Sequence, residues 1–278
     1  MRSAPLTFGD IDDRSLPLAV LVHGFPDTPF TWRHAGPQLA AAGYRAVAPM
    51  LPGYGEPATT TVSVGTYVRA ILGVRDEFGG DERTLLMGHD WGANAGYGAV
   101  ATAPGAFRHF VALAVPPTAA LGSAMFGYAQ LRRSFYIWFI QQVGLAEMAF
   151  LQHGFWESLW ADWSPGYDAT EDVAALREHI TADNIAAVVN PYRASFNPDF
   201  ADASAEAEAA AAMMLPPVPT LYLHGDRDGA IGAELVANAG DHLPASGSEF
   251  RLLNGVGHFL HLEDPDGVWA HIRTWLER

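Results

Sequence analysis

Residues 88–92 read Gly-His-Asp-Trp-Gly and join an apolar run, RTLLMG at 83–88, to an Ala/Gly-rich stretch with helical spacing from Trp91 to Ala103. Strand, sharp turn and helix in that order present the central side chain at the C-terminal end of the strand. This is the geometry of a nucleophile elbow, written with Asp90 where a serine is more usual. Glycine on both sides suits the turn, and the N-terminus of the following helix favours negative charge. A carboxylate is anionic at neutral pH, so it can attack a saturated carbon and form an ester without a base to activate it. The competing reading is that Asp90 only caps the helix, which does not require glycine on both sides.

Two further segments can complete that chemistry. Gly225-Asp226-Arg227-Asp228 follows the apolar run 220–224, and Gly257-His258 follows 249–253. Nucleophile, acid and histidine come in the chain order that accompanies a nucleophile elbow. No Asp or Glu follows the fourth strand, at Val115-Pro116-Pro117-Thr118, so the acid is expected after 220–224. A glycine three residues ahead favours Asp228 over Asp226. His258, oriented by that acid, is expected to activate water against the ester. His23-Gly24-Phe25-Pro26 ends the first strand, and the backbone amides of Phe25 and Trp91 are the expected oxyanion hole. His258, His261 and Glu263 lack the helical spacing of a zinc motif, and Gly53-Tyr54-Gly55 opens no complete dinucleotide loop. Neither a metal nor a cofactor is expected.

The elements that must hold these residues follow from the apolar pattern. Runs at 17–23, 44–49, 83–88 and 107–115 alternate with helical stretches at 31–42, 66–78 and 91–103. That alternation predicts an α/β fold, a mostly parallel sheet with helices on both faces. From 117 to 215 the alternation stops, and the chain becomes rich in aromatics, among them Tyr136, Trp138, Trp156, Trp160, Trp163 and Tyr192. It resumes at 220–224 and 249–253, before a last helix ending near Arg278. The expected organisation is a core of 1–116 and 216–278 with a helical insertion of 117–215. The Ala-rich stretch 201–212 reads as a helix or linker with no catalytic part.

Composition narrows the partners. With 278 residues, 49% hydrophobic and 17% charged, the chain can bury one large core. A net charge of −15 and the lack of any basic run argue against nucleic acid and anionic membranes, and favour a neutral, apolar small molecule. No apolar run is long enough to span a bilayer, and Met1-Arg2-Ser3-Ala4-Pro5 lacks the apolar stretch of a secretory signal. A cytoplasmic protein is expected. The absence of cysteine removes disulfides, thiolate catalysis and cysteine-ligated zinc together.

Over nearly its whole length the chain resembles the α/β-hydrolase epoxide hydrolases and their relatives, the haloalkane dehalogenases. The resemblance rests on HGFP, GHDWGA, GDRD and GVGH, with a helical cap between the second and third. It implies an α/β-hydrolase fold, an Asp nucleophile with a His–acid pair, and cofactor-free hydrolysis of an epoxide by water to a vicinal diol. It also implies two cap tyrosines that donate to the epoxide oxygen, and Tyr136 in SFYIWFIQQVGLAE and Tyr192 in NPYRASF match those positions. Phe25, Trp91 and Trp138 are expected to touch the substrate. Carbon–halogen hydrolysis is the alternative, and it differs only in how the leaving group is stabilised. A halide wants N–H donors, which Trp91 and Trp138 can supply, but Phe25 stands where some dehalogenases place an Asn. Fluoroacetate dehalogenases carry an Arg where this chain has Trp91. A mere binding protein on this fold would have lost catalytic residues, and none is lost.

The departures set further expectations. Only about twenty residues precede HGFP, so the edge hairpin common in the fold is expected to be abbreviated or absent. Met50 and Pro52 make the loop after the second strand less polar than usual, and Pro191 is expected to bias the backbone that aims Tyr192.

Overall fold

The computed structural model describes residues 4–55, 61–152 and 154–278. Seven strands form one sheet: β1 Leu6–Phe8, β2 Leu18–Val22, β3 Arg45–Ala48, β4 Leu85–His89, β5 His109–Leu113, β6 Thr220–Gly225 and β7 Glu249–Leu253. Their order is β1-β3-β2-β4-β5-β6-β7, and every neighbouring pair is parallel except β1 with β3. The three-residue β1 pairs antiparallel with β3 at the sheet's edge. Its partly exposed Leu-Thr-Phe gives no run of apolar residues from which a strand can be read.

Parallel strands need helical crossovers, which cover both faces of the sheet. In β2, Leu18, Val20 and Val22 face one buried cluster with Leu86, Phe110 and Tyr222. Ala19 and Leu21 face another with Met87, Val111, Leu221 and Leu223. Both faces being dry, the strands read as continuous apolar runs. Helices α1 (Ala35–Ala41), α2 (Val64–Glu77) and α3 (Trp91–Thr102) lie between the first five strands. The stretch 31–42 divides, because Thr28 accepts from the Phe30 amide and Pro29 opens a short 3-10 turn, Pro29–Arg33, ahead of α1.

Between β5 and β6 lie α4 (Thr118–Leu121), α5 (Tyr128–Arg133), α6 (Phe135–Ile140), α7 (Leu145–Phe150), α8 (Phe155–Trp163), α9 (Thr170–His179), α10 (Ile185–Ala194) and α11 (Glu206–Ala211). Among the described residues this stretch holds no strand. Pro191 sits inside α10, which continues past it because Ile185, Val188, Val189 and Tyr192 bury one side of the helix. The stretch is tied to the sheet by Trp160, whose indole N–H donates to the Pro26 carbonyl at 3.1 Å. The buried Asp172 adds a second tie by accepting from Arg33 at 2.7 Å. After β7 come α12 (Leu260–Glu263) and α13 (Pro265–Leu276).

The turn after β4 shows why its glycines are there. A Cβ on Gly88 would stand 2.3 Å from the Gly92 carbonyl oxygen, and one on Gly92 would stand 2.1 Å from that of Val22. The first turn of α3 therefore packs directly on β2 and on its own strand, while Asp90 takes φ 51° and ψ −119°. Gly92→Ala is expected to cost about 3 kcal/mol or more by overpacking this contact. Gly73→Ala, exposed within α2 with nothing within 4 Å of the added carbon, is expected to gain up to about 1 kcal/mol. Urea unfolding of the two variants beside the parent checks both signs.

Candidate active site

Asp90 ends the central strand β4, and its side chain makes no cap bond to α3. Instead its Oδ1 accepts from the backbone N–H of Phe25 at 2.7 Å. The loop after β2 can come this close because Gly24 has no side chain, since a Cβ there would lie 2.4 Å from the Asp90 Cβ. His23 fixes the loop in turn. Its Nδ1–H donates to the Gly24 carbonyl at 2.9 Å, and its Nε2 accepts from the Leu51 amide at 3.0 Å. Tyr54 donates to the same carbonyl at 3.2 Å. The apolar Met50 and Pro52 thus cost nothing, because the loop after β3 works through the Leu51 amide and the Tyr54 phenol.

The loops after β6 and β7 meet beside Asp90. His258 Nδ1 lies 2.9 Å from Asp228 Oδ2, and its Nε2 lies 3.6 Å from Asp90 Oδ2. The Ala230 and Ile231 amides donate to the other Asp228 oxygen at 2.7 and 2.9 Å. The structure brings Asp228 and not Asp226 to the histidine; Asp226 faces away and accepts from the Gly255 amide. Burial pushes the Asp228 carboxyl up, but the His258 charge and hydrogen bond outweigh it and hold the pKa below the usual range. For His258 burial is again the largest single influence and acts downward. The Asp228 charge and hydrogen bond, with Asp90 behind them, overcome it and raise the pKa to about 10.

Phe25 lies among the aromatic side chains of the 117–215 stretch, with ring centres 6.5 Å from Tyr136 and 5.2 Å from Tyr192. The two tyrosines are 5.6 Å apart and buried, and Trp91 lies 4.9 Å from Tyr192. The Tyr192 hydroxyl, the Trp91 indole N–H and His258 Nε2 are all buried with no hydrogen-bond partner among the described residues. Burial first, then the Asp90 charge, pushes both phenols well above their ordinary pKa, which keeps them protonated donors.

Trp138 must be corrected. It is 37% exposed and its ring packs against Phe126 and Phe196, away from the rings around Phe25. The reason is helical geometry: Tyr136, Ile137 and Ile140 form the buried side of α6, and residue 138 falls about 200° around from 136.

Five residues to which the sequence analysis gave no role, Asp27, His89, Trp163, Ser164 and His261, also belong here. The Trp163 ring packs on His258 at 4.9 Å and on Tyr136 at 4.8 Å, and Ser164 follows it in the chain. His89 Nε2 lies 3.1 Å from the His258 carbonyl, which can only accept, so that nitrogen carries the proton and Nδ1 is bare. Asp27 Oδ2 lies 3.8 Å from that Nδ1, and with His261 the three ligand atoms fall within 4.8 Å of one another. A separation of 3.8 Å is wider than the roughly 3.4 Å a tetrahedral zinc with bonds near 2.1 Å sets between ligands. The cluster reads as a neutral buried polar group under His258. Asp27 and His89 adjoin motif residues, but only the fold brings His261 to them.

A family model described as the alpha/beta hydrolase fold matches residues 17–265. The chain belongs to that family. Its relatives include epoxide hydrolase B of Mycobacterium tuberculosis, 44% identical over 85 residues, a segment spanning 29% of this chain and 24% of that relative's length. Among solved structures, epoxide hydrolase A of Mycobacterium thermoresistibile superposes with a TM-score of 0.76 at 24% identity, covering 98% of this chain and 94% of its own. An epoxide hydrolase from an endophytic Streptomyces gives 0.74 at 25% identity, covering 94% and 89%. No helix of this α/β hydrolase, among the described residues, is long and apolar enough to cross a membrane.

The buried histidines give the protein a pH signature. Burial, first among the causes, lowers His23 from its ordinary 6.5 to about 4, His89 to about 3, and His261 well below its usual range. Each is neutral when folded and gains a proton on unfolding below pH 6.5, so its stabilisation is lost as the pH falls from there. Asp27 works the other way, since burial raises its carboxyl and the folded form already holds that proton. His258, raised to about 10, stabilises fully below pH 6.5 and loses that contribution as the pH climbs through 10. Urea midpoints are therefore expected to fall between pH 6.5 and 4.5, with a net uptake of protons on unfolding. His89→Gln should flatten that slope by about one proton, and a flat profile in the parent would refute the neutral histidines.

Proposed function

We propose that this α/β hydrolase opens epoxides to vicinal diols through an ester on Asp90. The observation that carries the reading is the pair of buried phenols, Tyr136 and Tyr192, held protonated around Phe25 beside the Asp90 carboxylate. The naming of the Mycobacterium and Streptomyces relatives supports it. Residues 117–215 act as the cap, and the aromatic lining favours a neutral, apolar epoxide.

In the first step a carboxylate oxygen of Asp90 attacks a ring carbon, the carbon–oxygen bond opens, and a tyrosine hands its proton to the alkoxide. Their raised pKa values keep the phenols protonated until the strongly basic alkoxide forms and draws a proton off. Esterification then removes the Asp90 charge. That charge is one of the influences holding the His258 pKa up, so the imidazole becomes easier to deprotonate when it must act as a base. The proton count closes, because ring opening consumes one proton and the His258 imidazolium must give one up.

In the second step His258, oriented by Asp228, takes a proton from water, which attacks the ester carbonyl. The Phe25 amide already points at a carboxylate oxygen of Asp90, and with the Trp91 amide it stabilises the tetrahedral oxyanion. Collapse releases the diol and restores Asp90 with one oxygen from water. One turnover in heavy-oxygen water is expected to label the peptide containing Asp90. His258→Gln is expected to accumulate an adduct of the epoxide's mass. Asp228→Asn should slow the same step, while Asp226→Asn should be mild.

Carbon–halogen hydrolysis is the second reading, favoured by the unpartnered Trp91 indole N–H. A halide is a weak base and needs no proton, so the tyrosines separate the two. Tyr192→Phe is expected to slow ester formation from an aryl epoxide about ten- to a thousandfold, by analogy with loss of an oxyanion donor. Tyr136→Phe should behave alike, and the double variant should be nearly inactive. Unchanged epoxide kinetics in the double variant, or bromide release from a bromoalkane outpacing diol formation in the parent, would replace the epoxide reading with the halide one.

A further inference from the structure

Three consecutive amides around the histidine each have a defined acceptor. Gly257 N–H donates to the Glu263 carboxylate at 2.8 Å, His258 N–H to the Trp163 carbonyl at 3.0 Å, and Phe259 N–H to the Ser164 hydroxyl at 3.0 Å. Glu263 belongs to the same segment as the histidine, but Trp163 and Ser164 come from the end of α8, in the 117–215 stretch. The Trp163 carbonyl also accepts from Gly229, the residue after Asp228, at 3.1 Å. Main chain meets main chain here. A Cβ on Gly257 would lie 2.7 Å from the Ser164 Cα, and one on Gly229 would lie 1.9 Å from the Asp162 carbonyl oxygen. The loops carrying Asp228 and His258 thus dock side by side on the end of α8 and share the Trp163 carbonyl.

We propose that the Trp163–Ser164 turn sets the position of the histidine loop, and that the Ser164 hydroxyl is a positioning residue for the ester-hydrolysis step. This rests on the function proposed above. Ser164 is fully buried, and its hydroxyl accepts from main chain only one residue from His258. Removing it leaves a buried N–H unpaired beside that histidine. The nucleophile and the two phenols hang on other elements, β4, α6 and α10, and share no hydrogen bond with Ser164. The Trp163 ring also touches Tyr136, so it is the Ser164 hydroxyl, bonded to the histidine loop alone, whose loss should fall on the half-reaction that uses His258 as a base.

The test uses the full chain with Ser164→Ala, Ser164→Thr and Ser164→Cys. In single-turnover intact-mass experiments with an aryl epoxide, Ser164→Ala is expected to form the ester within about twofold of the parent rate and to hydrolyse it roughly tenfold more slowly, so that adduct accumulates. Ser164→Thr, which keeps the acceptor, should restore hydrolysis. Ser164→Cys, of similar size but a weaker acceptor, should fall between, and it serves as the probe if the alanine variant does not fold. A second readout needs no substrate: the His258 Nδ1 proton, hydrogen-bonded to Asp228, should shift or broaden in the proton NMR spectrum of Ser164→Ala and recover in Ser164→Thr. Equal slowing of both steps, or parent-like hydrolysis with an unchanged imidazole resonance, overturns the proposal. If neither the parent nor His258→Gln is alkylated by any epoxide, the proposed function fails instead, and the imidazole resonance still decides the role of Ser164.

Discussion

The bond from the Phe25 amide to the Asp90 carboxylate is the constraint around which the rest of the site is arranged. It needs two loops, after β2 and β4, closer together than side chains normally allow. Gly24 removes the atom that would collide with Asp90, and Gly92 removes the one that would collide with Val22. His23 then locks the first loop from behind through Gly24 and Leu51. A carboxylate held by a backbone amide is pre-aimed, and the same amide suits a tetrahedral oxyanion at that carbon. The geometry that holds the Asp90 carboxylate is therefore the geometry the proposed second step uses.

Charge supplies the timing. His258 stands between two carboxylates, Asp228 at 2.9 Å and Asp90 at 3.6 Å, and together they overcome the cost of burying it as a cation. Below it, burial lowers His89 and His261 and raises the Asp27 carboxyl, each toward its neutral form. One imidazole in this histidine-rich region is thus singled out to be charged, and only because of its carboxylates. In the proposed reaction the loss of one of them as an ester is what turns His258 from an acid into a base.

The 117–215 stretch contributes more than a lining. Its aromatic side chains surround Phe25, its Trp163 ring lies on His258, and its main chain at Trp163 and Ser164 receives the two loops of the acid and the histidine. Excluding water from this aromatic region strengthens each polar contact within it.

The sequence by itself determined the sheet, the elbow and the order of Asp90, Asp228 and His258. Apolar runs buried on both faces, glycines flanking a turn, and chain order are all local properties, legible wherever a segment must be strand, turn or helix. It also placed Tyr136 and Tyr192, through resemblance to a known pattern and not through spacing. It misjudged Trp138, because a short helix with apolar residues on all sides does not announce which one faces inward. It gave no sign of β1, whose place depends on pairing with β3 and not on its own composition. The glycine three residues ahead already favoured Asp228 over Asp226, and the turn of the loop is what carries the Asp228 carboxylate to the histidine and leaves Asp226 on the Gly255 amide. Only the tertiary structure joined Asp27 and His89 to His261, and Trp163 and Ser164 to His258. Contacts between residues far apart in the chain carry no local period or motif, and are fixed by how the crossovers and the insertion pack against the sheet.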